Sequence, residues 1–295
     1  MGRLANGWEL SKQSWNALRA NPQLLVFPLI SLAGMIAVTI VFLIPMAGAG
    51  IFDAVARSAE TGESQLSNGQ ITLSAIVGFV YSFIGYTVVI FSNVALVGAA
   101  MKLARGETAT VQDGIDIARA RLGKIIVYAF ISAVVGTIAR AISQSGRDNG
   151  IAGQILAAII GGIIQGAWSL VVFFAIPVLV MEDVGVIDSM KRSLSLFKQT
   201  WGESFAGQTA ISLIGCVATF ALMAVGGVLI LGAVATGSIA LVVLAVMLVG
   251  LTLVGVGLLN GAVNGVFQAS LYQYATTGSA GKLIDTQLAA QAFRM

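Results

Sequence analysis

The sequence predicts an all-α polytopic membrane bundle: six transmembrane helices, interfacial amphipathic helices on their cytoplasmic side, and a threefold internal pattern. Three observations carry that reading. Of the 295 residues 57% are apolar and only 10% are charged, where a soluble domain carries about 25% charged residues. Long stretches hold no Asp, Glu, Lys or Arg, and the basic residues gather in every second connection between those stretches. Sixteen basic and 13 acidic residues cannot cover so much apolar surface, to which 35 Gly are added, so the excess faces lipid. The same composition removes chemistry. Without His there is no imidazole base or ligand, and a single Cys permits neither an internal disulfide nor a thiolate metal cluster. No catalytic residue, cofactor or metal is expected, and the small basic excess marks one side of a membrane, not a nucleic-acid surface.

Because an ion near the bilayer centre is costly, charge-free stretches locate the spans. They run between Arg19 and Asp53, Glu63 and Lys102, Lys124 and Arg140, Asp148 and Glu182, and Glu203 and Lys282. The last is too long for one helix of about 20 residues, and Thr236-Gly237-Ser238 supplies a tight turn within it. Six spans follow, near 24–46, 72–102, 125–142, 152–181, 206–234 and 239–275, with connections near 47–70 and 143–151 on the far side. No Asp, Glu, His or Arg is expected inside them, Arg140 being assigned to an outer flank. A seventh span, cut at Gly250, would strand the C-terminal charges outside.

Orientation follows from the flanks. Arg3, Lys12 and Arg19, then Lys102, Arg105, Arg119, Arg121 and Lys124, then Lys191, Arg192 and Lys198, and finally Lys282 and Arg294 lie on one side; Arg57, Arg140 and Arg147 lie on the other. Thirteen against three places both termini in the cytoplasm. Residues 1–23 do not read as a signal peptide, and Asn6 removes a myristoylation pattern at Gly2.

Each cytoplasmic segment leading into an odd-numbered span reads as an amphipathic helix. Over 186–201, Ile187, Met190, Leu194, Phe197 and Trp201 form one apolar stripe, with Lys191, Arg192, Ser195 and Lys198 elsewhere. Val111, Ile115, Ala118 and Leu122 make the second stripe, opposed by Asp113, Asp116, Arg119 and Arg121. Leu4, Trp8, Trp15 and Leu18 make the first, which Pro22 ends. Trp8, Trp15 and Trp201 are the expected interfacial anchors. Leu10-Ser11-Lys12-Gln13-Ser14-Trp15 shares four of six letters with Leu196-Phe197-Lys198-Gln199-Thr200-Trp201. The chain therefore reads as one membrane domain, 1–295, built from three units, 1–103, 104–182 and 183–280, each an interfacial helix, a span and a long span.

The segment from Gly185 to Leu194 followed by Trp201, the preceding Pro177 and Glu182, the turn Arg105-Gly106-Glu107, and Leu271-Tyr272-Gln273-Tyr274-Ala275 resemble an uncharacterised family of prokaryotic six-span membrane proteins. That family is similar in layout to the membrane domain sometimes fused to glycerophosphodiester phosphodiesterases. The resemblance implies the fold and a prokaryotic inner membrane, and it brings no activity and no catalytic residue.

What polarity remains inside the spans is neutral: Asn93, Gln154, Gln165, Asn260, Asn264 and Gln268. Asn260, Asn264, Gln268 and Tyr272 recur every fourth residue and share one face of the sixth span, beside Gly257, Gly261 and Gly265. Amides beside a small-residue stripe bind neighbouring helices, or else line a cavity for an uncharged ligand; all are expected to point away from acyl chains. The Gly78, Ser82, Gly85 and Gly161, Gly162, Gly166 groups read as packing seams, Cys216 as an inert apolar residue, and Glu182-Asp183 as acids paired with Lys191 and Arg192. The function these features favour is a non-enzymatic scaffold or assembly bundle whose partners are membrane lipids and other membrane proteins; the alternative is a transporter or channel for an uncharged or lipid-like solute. Oligomeric state stays open.

Overall fold

A computed structural model describes residues 3–61, 66–145, 150–201 and 205–287, and among these there is helix and connection but no strand. The helices are α1 (Arg3–Ala20), a 3-10 turn (Pro22–Leu25), α2 (Val26–Gly48), α3 (Ile51–Thr61), α4 (Asn68–Ala104), α5 (Val111–Ala120), α6 (Leu122–Ser145), α7 (Gly150–Val172), α8 (Ala175–Met181), α9 (Val186–Trp201), α10 (Phe205–Ala235) and α11 (Ile239–Thr277). Among the described residues five stretches are long and apolar enough to cross a membrane: Pro22–Gly48, α4, α6, Gly150–Met181 and Ala240–Thr277. Within α10 the shorter apolar segment Thr219–Ala235 stands beside them. Their outward faces carry large bare apolar side chains, such as Ile151 at 78% and Leu251 at 75% exposure. Surface of that kind is incompatible with water and suits lipid. The chain is an all-α helical membrane bundle.

Local chemistry explains where the helices stop. Asn21 donates from Nδ2 to the Ala17 carbonyl at 2.9 Å, and Pro22, lacking an N–H, then opens the 3-10 turn. The expected turn after α10 is present, with Gly237 at φ +69°, a conformation that favours glycine. Thr236 closes it by donating from Oγ1 to the Ala233 carbonyl at 2.6 Å. Thr110 and Asp113 form a reciprocal box at the start of α5: the Thr110 N–H and hydroxyl donate to Asp113 Oδ2 at 2.7 and 2.6 Å, and the Asp113 N–H donates back to Thr110 Oγ1.

Two features depart from expectation. The connection near 47–70 contains α3, eleven residues that bury Ile51 and Ala54 one turn apart while Phe52 and Val55 stay exposed. Its charges, Asp53 and Arg57, had marked this stretch as loop. The fourth span is not continuous either; it breaks at Phe173-Phe174, between α7 and α8. Pro177 cannot donate to the carbonyl four residues back, which opens the ladder there. Ser193 answers on the other side of the break, its Oγ accepting the Phe174 N–H at 2.9 Å.

That contact rotates α9 from the expected stripe. Val186, Ser189, Met190, Ser193, Leu196 and Phe197 are buried, Leu194 is half-buried, and Ile187 is 59% exposed. The two serines face inward because one serves the broken helix and the other folds back onto its own helix, Ser189 Oγ donating to the Val186 carbonyl at 2.7 Å. In α5 the buried residues are Gly114 and Ala118, while Leu122, counted on that stripe, is 44% exposed at the start of α6.

The chain forms two compact units: Met1–Leu29, Ala95–Gly114 and Ser195–Met295 make one, Ile30–Val94 and Ile115–Leu194 the other. In the first, α1 packs on α10 and α11, and α10 packs along α11. Gly114 sits against the Phe27 ring and 2.6 Å from the Ala95 carbonyl oxygen, measured from where a Cβ would stand. Gly281, at φ +75°, lies flat against the Ala104 carbonyl; the Lys282 N–H donates to that same carbonyl at 2.9 Å. In the second, α6 packs on α7, where Gly161 accommodates Ser143, and Gly34 and Gly85 of α2 and α4 accommodate Val88 and Met35. Phe130 of α6 meets Phe79 and Phe83 of α4 edge to face, each at 6.0 Å.

Candidate functional site

The polar row of α11 divides along its length. Tyr272 is buried and Gln268 half-buried, whereas Asn260 and Asn264 are exposed. The glycine row follows suit: Leu96 fills the space at Gly265, while Gly257 and Gly261 have nothing within 4 Å of a would-be Cβ. The end of α11 nearer Tyr272 is thus packed, and the stretch around Asn260 presents two amides and two glycines outward. Asn93 is half-buried on α4 and Gln165 is exposed on α7, both in the second unit. Gln154 is exposed too, and so are Gly78, Gly162 and Gly166; of those seams Gly85, Ser82 and Gly161 make close contacts. Trp15 is half-buried with the Arg19 guanidinium 5.0 Å above its ring. The side chains of Leu4, Trp8, Trp201 and Cys216, and residues Arg147, Asp148 and Arg294, lie outside what the structure describes.

Each unit carries a rim of charge at its connections, the first beside the start of α5 and the second beside α8. Lys102 pairs with Asp113 at 2.8 Å. Its ammonium, with the Thr110 donors, holds the Asp113 carboxyl well below the usual carboxylate range. Lys124 pairs with Asp183 at 2.6 Å and holds that carboxyl low as well. Arg192 reaches Glu182 at 3.4 Å, and Lys191 turns to Asp188 at 3.6 Å within its own helix. Arg121 donates from Nε to the Leu179 carbonyl at 2.9 Å and from Nη2 to the Val180 carbonyl, capping the C-terminal end of α8 with a cation. These are structural pairs. Among the described residues no three His, Cys, Asp or Glu side chains gather to hold a metal.

One charged residue stands apart from the rim. Arg140, expected on an outer flank, lies inside α6, which continues to Ser145 because Ile142 extends the apolar pattern. Its Nε donates to the Gly136 carbonyl at 3.1 Å, and its Nη2 donates to Ser82 Oγ on α4 at 3.0 Å. The signal in the sequence was the apolar pair Ile138 and Ile142 on either side of it. Charge counting assigns it to the outer flank although the expected span, near 125–142, already runs past it.

Long apolar helices, lipid-compatible faces and a paired charged rim define a polytopic helical membrane protein. Residues 72–282 match the model of a family of unknown function, DUF6159. That match covers more than half of the chain, which belongs to this family. No curated protein matches it.

Proposed function

We propose that this protein is a non-catalytic bundle of a prokaryotic cytoplasmic membrane, with both termini in the cytoplasm, that gathers other membrane helices onto the outward face of α11. The observation that carries this reading is the pair Asn260 and Asn264, exposed beside the open glycines 257 and 261 on a helix whose exposed residues from 240 to 251 are all apolar or Gly. Hydrocarbon cannot satisfy an amide, and a second helix can, at about 0.6–2 kcal/mol per interhelical bond. Glycines at that spacing let the partner backbone approach.

Cross-linking tests it. A cysteine at Asn260 in a Cys216→Ser background, treated in native membranes with a short bifunctional thiol reagent, is expected to give discrete adducts with a second membrane polypeptide, and Asn264→Leu should reduce them. Absence of any adduct, together with unchanged thermal stability of Asn264→Leu, overturns the proposal. Loss of solute uptake in Asn264→Leu proteoliposomes, with adducts intact, would favour the transporter reading.

A further inference from the structure

We propose that Arg140, Tyr86 and the glycine surface at Gly136 form a binding site for a phosphate-type anion carried on a lipid headgroup. The proposal is independent of the assembly role of α11. It starts from the direction of one side chain. Arg140 stands five residues before the end of α6, about 7 Å from it, close enough for a long cationic side chain to reach that end. Its exposed side chain runs back along its own helix, as helical side chains do, to the carbonyl of Gly136, four residues earlier, and across to Ser82, itself 8% exposed. The guanidinium is held toward the apolar length of the helix, where a cation without a counter-charge is costly.

The bonds that hold it leave it unsatisfied. The hydroxyl proton of Ser82 is committed to the Gly78 carbonyl at 2.8 Å, so Ser82 Oγ serves Arg140 purely as an acceptor. Of the five N–H donors of a guanidinium, two are used, and no carboxylate pairs with Arg140 among the described residues. Gly136 is buried and offers no side chain: a Cβ there would stand 3.0 Å from Tyr86 Oη and 3.7 Å from Arg140 Nη2. The Tyr86 hydroxyl, which has no hydrogen bond among the described residues, and the free guanidinium edge therefore border one small surface. A planar fork plus a phenol donor is chemistry that recognises the oxygens of a phosphate, two at a time. Phe79, Phe83 and half-exposed Phe130 lie on the same two helices and give an acyl chain an apolar flank, which favours a lipid over a free ion.

The test uses the purified full-length protein in a neutral detergent, with thermal stability and native mass spectrometry as readouts. Phosphatidylglycerol, diacylglycerol with the same chains, and inorganic phosphate are titrated separately. Phosphatidylglycerol is expected to raise the melting temperature and remain bound where diacylglycerol does neither. Arg140→Gln should weaken that binding about tenfold or more, as loss of charge-assisted hydrogen bonds does; Arg140→Lys should recover part of it, and Arg119→Gln, which removes an exposed cation elsewhere, should change nothing. Should Arg140→Gln not fold, Gly136→Ala fills the surface while keeping the charge and is expected to weaken binding as well. Stabilisation by inorganic phosphate alone, lost in Arg140→Gln, would keep the phosphate site and overturn its lipid source. Equal response to phosphatidylglycerol and diacylglycerol, or binding unchanged in both Arg140→Gln and Gly136→Ala, overturns the site.

Discussion

At the scale of single residues, the ends and crossings of helices rest on small groups in places where nothing larger fits. Gly114 is one such case, since a methyl there would overlap the Phe27 ring and the Ala95 carbonyl. Backbone cannot retreat as a side-chain tip can, so Gly114→Ala is expected to destabilise the fold by about 1–3 kcal/mol as overpacking does, seen as a lower melting temperature in detergent, whereas Gly123→Ala, with open space around it, should leave it unchanged or higher. Asp113 carries a pH signature. Its carboxyl is held below the usual range by Lys102 and Thr110 in the folded chain, so its contribution is complete above the unfolded value near 4 and is lost as pH falls below it. The melting difference between the wild type and Asp113→Asn should accordingly be constant from about pH 7 to pH 5 and shrink below about pH 4. A difference that instead grows on acidification would contradict the assignment.

At the scale of elements, what the sequence disclosed and what it withheld have separate physical causes. Helix extents were legible because desolvating a charge is costly enough to set the bounds: the expected spans 24–46 and 239–275 correspond to Pro22–Gly48 and α11, Ile239–Thr277. The face of α9 was not legible. Periodicity sees apolar side chains, while this helix turns a serine inward, Ser193, whose Oγ accepts the Phe174 N–H at the break before α8. Ser193→Ala should therefore cost about 0.5–1.5 kcal/mol by removing a buried hydrogen bond, and Ser193→Thr, which keeps the acceptor, should cost less. Leu194→Glu, on the half-buried edge of the same helix, is expected to lower folded yield more than Lys191→Glu, whose side chain is exposed. The candidate site was half legible for the same reason. The amide row of α11 announces itself by spacing, but which amides are covered depends on neighbours such as Leu96, and Arg140 was passed over because it was counted with the outer flank although the expected span, near 125–142, already contained it.

At the scale of the whole molecule, neither compact unit is one continuous stretch of chain: the first joins three separated segments and the second joins two. A chain whose neighbours in space are distant in sequence must fix its topology before it packs, and basic residues do so during insertion. The flanks expected in the cytoplasm include Lys102, Arg121, Lys124 and Arg192, the same residues that lock the rim to Asp113, the α8 carbonyls, Asp183 and Glu182. One set of charges is thereby available to orient the chain and then to hold its connections. The prediction is that cysteines at Ser67 and Thr236, in a Cys216→Ser background, react with a membrane-impermeant thiol reagent in intact cells, while one at Ser279 reacts only after the cells are opened. Both Ser67 and Ser279 are exposed and lie just outside the ends of α4 and α11, so access to reagent depends on sidedness and not on burial. Labelling at Ser279 in intact cells, with protection at Ser67, would invert the orientation and place the charged rim on the far side of the membrane; replacing Lys102, Arg121 and Lys124 by Gln should move the labelling pattern toward that inverted state if those charges set it.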